Sequence, residues 1–175
     1  MVKHELATSG YNKRRDECRK AVSILRREKN SIGSLRDVTW DDLKASGDLL
    51  PETLRRRCRH VISENERTLR AADALKNGDA AGLGELMTLS HESLRDDYEV
   101  SCRELNIMVE LARQQHYVTG ARMMGGGFGG CTVNLVQHDK LDQFRQFISA
   151  GYEQATGLVP SIIPITADDG VGEMM

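Results

Sequence analysis

No apolar run in this 175-residue chain approaches the roughly 18 to 20 residues that a membrane-spanning helix requires. Its first residues, Met1 to Arg15, are too polar for a secretory signal peptide. Cysteine is sparse: Cys18, Cys58, Cys102 and Cys131 lie 40, 44 and 29 positions apart, which excludes the short spacings of zinc sites and redox pairs. Such thiols are expected to be reduced and mostly buried, and the protein to be cytoplasmic. The histidines, His4, His60, His91, His116 and His138, show no ligand spacing with one another or with cysteine. Aromatic residues are few, at 5%, and none interleaves with the basic residues, so no nucleic-acid surface is expected.

Net charge is also small, with 24 Lys plus Arg against 26 Asp plus Glu, but it is unevenly spread. Residues 1–60 hold 15 basic and nine acidic residues and the remainder nine and 17. The basic residues fall in helix-like stretches and read as solvated faces. That reading includes the run Arg55-Arg-Arg-Cys-Arg59, whose members fan around a helix. With 39% hydrophobic residues and a mean hydropathy of −0.45, the chain is long enough to bury a core, and disorder is excluded.

Periodicity predicts helices over 10–29, over a short stretch capped by Thr39 and Asp42, over a long segment opened by Pro51 and closed at Lys76-Asn77-Gly78, and over 80–95. The long segment carries the stripe Leu54, Cys58, Val61, Asn65, Thr68, Ala72, Leu75. Another helix is expected from Ser101, with Ser101 and Glu104 as a capping box, and another over 140–155. Cys131 to Val136 alternates like a strand, and Leu158 to Thr166 reads as a last β segment despite Pro160 and Pro164. The succession implies an α+β fold, with helices on one face of a small antiparallel sheet and a glycine-rich hairpin joining two strands. The tail beyond Thr166 is expected to fray. The adjacent carboxylates Asp96 and Asp97 read as capping or Arg-paired groups, not as a metal pair.

Six of the 16 glycines lie between Gly120 and Gly130. Gly125, Gly127 and Gly130 satisfy G-x-G-x-x-G, but a strand follows where a dinucleotide fold needs a helix, and no Lys-Ser or Lys-Thr follows for a P-loop. Glycines at this density imply positive φ angles or a close approach to something. A tight β connection packed under another element is one reading; an anion-binding concavity of backbone N–H groups is the other.

The segment Gly120-Ala-Arg-Met-Met-Gly-Gly-Gly-Phe-Gly-Gly-Cys-Thr-Val133 resembles the third signature motif of galactokinases, members of the GHMP small-molecule kinase superfamily. Lys3 to Arg15, Ser34 to Thr39 and Ser90 to Cys102 are similar to further galactokinase segments in the same order. The resemblance implies a ferredoxin-like GHMP kinase C-terminal domain over 1–175, without the N-terminal ATP-binding domain that carries the family's first two motifs. It implies ATP and galactose as substrates, Mg²⁺ as the accompanying ion, and galactose 1-phosphate as product. It places Tyr11 at the sugar pocket and Gly125, Gly126, Gly127 and Gly129 beside the γ-phosphate, with Lys3 in support, and assigns no catalytic or metal residue to this chain.

The chain departs from the pattern at Gly10, where Glu is common, at Arg103, where Pro is common, and at Met124, where Thr is common. A chain lacking the first two motifs is expected to be inactive alone, to need an N-terminal galactokinase domain as partner, and to self-associate through its exposed interdomain face. The alternative is a non-catalytic sugar-sensing or protein-association module.

Overall fold

The computed structural model describes residues 2–3 and 7–166. His4 and the tail from Ala167 to Met175 lie outside the described residues. The first helix, α1 (Ala7–Glu28), turns Ala21 and Leu25 fully inward. Thr39 caps α2 (Trp40–Ala45) as its spacing predicts: its hydroxyl accepts from the Asp42 amide at 3.1 Å, and the Asp42 carboxylate accepts from the Thr39 amide at 3.0 Å. Pro51 stands as the cap before α3 (Glu52–Lys76). The predicted stripe of α3 holds only to its middle. Leu54 and Cys58 join Ala21, Leu25, Ile32, Leu35, Val38, Leu43 and Leu50 in one core, Val61 packs partly against it beside the buried Ile62, and Leu75 is exposed.

Asp79 caps α4 (Ala80–Asp96) by accepting from the Gly82 amide at 2.8 Å. The next helix, α5 (Arg103–Arg113), begins two residues later than its predicted start. The Ser101–Glu104 capping box does not form, because the Ser101 hydroxyl donates to Asn106 Oδ1 at 2.6 Å instead. The last helix is α6 (Leu141–Thr156), closed by Gly157 in the left-handed region.

Among the described residues, three strands make the antiparallel sheet: β1 (Val2–Lys3), β2 (Val118–Met124) and β3 (Gly129–Val136), in the order β1-β3-β2. Residues 125–128 connect β2 to β3, with Met124 opposite Cys131. Helices α5 and α6 cover one face, where Ala121 meets Val109, Ala112, Phe144 and Ile148. Helix α4 runs along the edge of β2, where the Met123 amide donates to His91 Nδ1 at 3.2 Å, so one edge group is satisfied by a buried side chain. A Cβ at Gly84 would lie 1.9 Å from the Thr119 carbonyl oxygen, so only glycine lets α4 come this close.

The expected β segment over Leu158 to Thr166 does not form. Pro160 and Pro164 remove two ladder donors, and only Ile162 packs on the α5–α6 core, leaving Val159, Ile163 and Ile165 exposed. The fold is α+β as the succession of elements implied, with β1 in addition. Among the described residues no helix is long and apolar enough to cross a membrane.

Candidate functional site

The β2–β3 connection is built from unusual backbone angles. Gly125, Gly127, Gly129 and Gly130 have φ of 78°, 82°, 122° and 98°, and Phe128 is left-handed at 59°. A non-glycine residue there costs on the order of 1 to 3 kcal/mol and persists only where its surroundings hold it. Two supports do so. The Phe128 amide donates to the Val100 carbonyl at 2.6 Å, and the Phe128 ring lies against the helix backbone of α1, where a Cβ at Gly10 would be 2.6 Å from its tip.

These supports give the loop two different sides. On one, a Cβ at Gly127 would come within 2.3 Å of the Val100 carbonyl oxygen. On the other, a Cβ at Gly125, Gly126 or Gly130 would meet nothing within 4 Å, and Gly125 and Gly126 are exposed. The loop is thus a tight connection packed on one side, as one of the two sequence readings had it, and its other side is open.

Val100 is itself held from behind. The backbone carbonyls of Asp96, Asp97, Tyr98 and Glu99, at the C-terminal end of α4, each accept from an arginine. Arg56 donates to Asp96, Arg57 to Asp97, and Arg14 to Tyr98 and Glu99. Helix C-terminal carbonyls lack intrahelical partners and favour positive charge, and here three guanidiniums supply both. Arg57 is only 1% exposed and also pairs with Glu17 at 2.8 Å and Glu99 at 2.5 Å. Burial works to raise the Glu17 pKa, but the hydrogen bond and charge of Arg57, with Arg14 in support, bring it below its ordinary value.

The arginine run at 55–59 is thus not the uniformly solvated face its spacing implied. Its centre is buried because α1 and the turn after α4 bring carboxylates and carbonyls to it from about 40 positions away. Asp96, by contrast, pairs with Arg95 at 2.7 and 2.8 Å as read from the sequence. His60 and His91 are buried and hydrogen-bonded. Of the cysteines, Cys58 is buried, Cys18 and Cys102 are half-buried, and Cys131 is exposed.

Tyr11 is 59% exposed and follows Gly10 on α1, so the residue read as a sugar contact sits one position beyond the seat of the Phe128 ring. Gly125, Gly126, Gly127 and Gly129 lie in or beside the same turn, and the backbone of Lys3 pairs with Gly129 through β1. Gly10, the departure noted in the sequence, is what admits the ring. The sequence drew attention to the glycines but not to Phe128 or Val100 as their supports. The single Phe inside a glycine run was the available signal. The cation next to the loop, Arg122, turns away from it, giving Nε to the Met123 carbonyl and pairing with Glu64 at 3.6 Å. Among the described residues no group of three or more His, Cys, Asp or Glu could hold a metal ion.

Residues 71–154 match the family model "GHMP kinases C terminal". This part of the chain is similar to the C-terminal domain of GHMP kinases. The chain is 51% identical over 97% of its length to a galactokinase of Chloroflexus aggregans and 46% identical over 99% of its length to one of a Roseiflexus species. It spans 44% of each of those relatives, less than half of their length. Among solved structures, the galactokinase of Lactococcus lactis complexed with galactose superposes with a TM-score of 0.85 at 40% identity, over 90% of this chain and 41% of that one. The fold of that part of the Lactococcus lactis galactokinase thus agrees with the arrangement of helices and sheet described above.

Proposed function

We propose that this chain forms the C-terminal part of a galactokinase, which transfers the γ-phosphate of ATP to the anomeric hydroxyl of galactose and yields galactose 1-phosphate. The observation that carries the proposal is the hairpin loop, open on one side and braced on the other, beside the helix that presents Tyr11. It occurs in a chain that matches galactokinases along nearly its whole length.

Phosphoryl transfer depends on positioning and on neutralising charge as it moves between oxygens. In this reading the amides of Gly125, Gly126, Gly127 and Gly129 face the transferring phosphate, and Tyr11 forms one wall of the sugar pocket. Sugar activation and most nucleotide contacts belong to the part of the relatives that this chain does not span. Magnesium finds no carboxylate cluster among the described residues. Its ligands would come from that other part, so no step is assigned to it here. The exposed Tyr11 and Met124 flank the loop on the surface that would meet an N-terminal galactokinase domain. Without that domain the same surface would favour self-association. The reaction would take place in the cytoplasm.

The test is reconstitution. The chain alone, given ATP, Mg²⁺ and galactose, releases no ADP; mixed with the N-terminal part of the Chloroflexus aggregans galactokinase, it forms galactose 1-phosphate. In that assembly Tyr11→Ala raises the KM for galactose several-fold while leaving the melting temperature of the chain in place. Turnover by the chain alone, or an assembly that forms and stays inactive, refutes the proposal.

A further inference from the structure

The hairpin loop and helix α1 are distant in sequence, yet one side chain joins them. The Phe128 ring reaches α1 at Gly10, where a Cβ would stand 2.6, 2.7 and 3.0 Å from three ring carbons. Its own amide is fixed on the Val100 carbonyl at 2.6 Å. The residue is therefore held at both ends, by backbone on one side and by helix on the other, in a conformation that Phe rarely adopts. Gly127 before it is packed on Val100, and Gly129 after it is buried and pairs with β1.

We infer that Phe128 is a positioning residue: its ring, seated on Gly10, locks the glycine loop to the turn of α1 that carries Tyr11, so that loop and tyrosine move as one unit. This rests on the reading of the loop as the phosphate side and Tyr11 as the sugar side of a transfer site. Under that reading the lock sets the distance between the transferring phosphate and the accepting hydroxyl. Phe128 touches neither substrate, and its action passes through the loop backbone.

The perturbation that isolates this role is Gly10→Ala. Ordinary contact begins at about 3.4 Å, so the added methyl must drive the ring back by close to 1 Å. Alanine otherwise favours the helix, so folding is retained. Displacing a reacting group by about 1 Å lowers turnover by up to about a hundredfold; here the displaced atoms are the far end of a side chain, and only the share of the shift passed to the loop backbone counts. In the reconstituted assembly kcat is therefore expected to fall about 3- to 10-fold, with the KM values for ATP and galactose within about twofold of wild type. Adding Phe128→Leu removes the far ring carbons that the new methyl strikes, so the double variant recovers kcat relative to Gly10→Ala alone, a non-additivity that separate structural losses do not produce.

A second readout needs no activity. In amide NMR of the full chain, Gly10→Ala moves the signals of Gly127, Phe128 and Gly129, and the double variant returns them toward their wild-type positions. Unmoved loop amides overturn the inference, as does an unchanged kcat in an active Gly10→Ala assembly. If the wild-type assembly does not turn over, the functional reading fails, and the NMR comparison alone decides whether the lock exists.

Discussion

Replacing Arg57 by Ala tests the network behind the loop most directly. Arg57 is buried and gives one nitrogen to Glu17, one to Glu99 and one to the Asp97 carbonyl, tying α3 to α1 and to the turn after α4. Breaking a buried ion pair typically costs about 3 to 5 kcal/mol because a charge is left uncompensated. Here neither carboxylate is stranded, since Glu17 keeps Arg14 at 2.7 Å and Glu99 keeps Arg56 at 2.8 Å. What remains is the loss of the Asp97 carbonyl's donor, about 1 to 3 kcal/mol, and of the two buried methylenes beyond Cβ, about 2 kcal/mol. The expected loss is about 3 to 5 kcal/mol, a fall in melting temperature of roughly 10 °C for a chain of this size.

Arg57→Met keeps most of the stem and should lose about 2 kcal/mol less. Urea melts across pH add a second dimension. Glu17 is held below its ordinary value despite burial, and Glu99 is held low by the Arg57 hydrogen bond, although Glu99 is 39% exposed and its share is screened. Carboxylates with depressed pKa values contribute stability that is present above their unfolded pKa and lost as pH falls through the folded one. The advantage of wild type over Arg57→Ala should therefore narrow below about pH 4. A loss under about 1 kcal/mol at pH 7 would sink the claim that this network braces the turn.

Gly84→Ala adds a methyl 1.9 Å from a backbone carbonyl oxygen that has no room to retreat, and should destabilise by about 3 kcal/mol or more despite the better helix propensity of alanine. Gly126→Ala, with nothing within 4 Å, should melt within a degree or two of wild type; equal losses at the two positions would refute the packing argument. For His60, burial is the main cause that pushes its pKa down to about 4. Its neutral form contributes stability that is present above pH 6.5 and lost as pH falls toward 4. A proton NMR titration of its ring should show a midpoint near 4, and one near 6.5 would refute it.

The helices were legible because local signals decide them: a three- and four-residue apolar spacing in α1, the Thr39–Asp42 cap of α2, and Pro51 ahead of α3. The glycine hairpin was legible because glycine density constrains backbone angles whatever the tertiary setting. What escaped was partly local competition and partly non-local. The Ser101 cap lost to a partner five positions on, Asn106. Leu158 to Thr166 is rich in β-branched residues, but Pro160 and Pro164 each remove a ladder donor, and pairing also requires a neighbour with free ladder groups. The burial of Arg57 depends on acceptors 40 to 42 positions away, so helical spacing alone returned a solvated face.

Under the proposed function, the same non-local contacts explain how the loop would meet an anion chiefly through its backbone. Arg122 is committed to Glu64 and to the Met123 carbonyl. The basic residues around the turn are spent on carbonyls and carboxylates, with Arg14, Arg56 and Arg57 each holding an oxygen between Asp96 and Glu99. Attraction at the loop must then come from oriented amides, whose strength depends on their being fixed before the charge arrives. Amides in a flexible glycine run would lose that advantage to entropy. The guanidiniums thus act on the site at one remove: they fix the carbonyl turn, Val100 fixes Phe128, and Phe128 fixes the glycines.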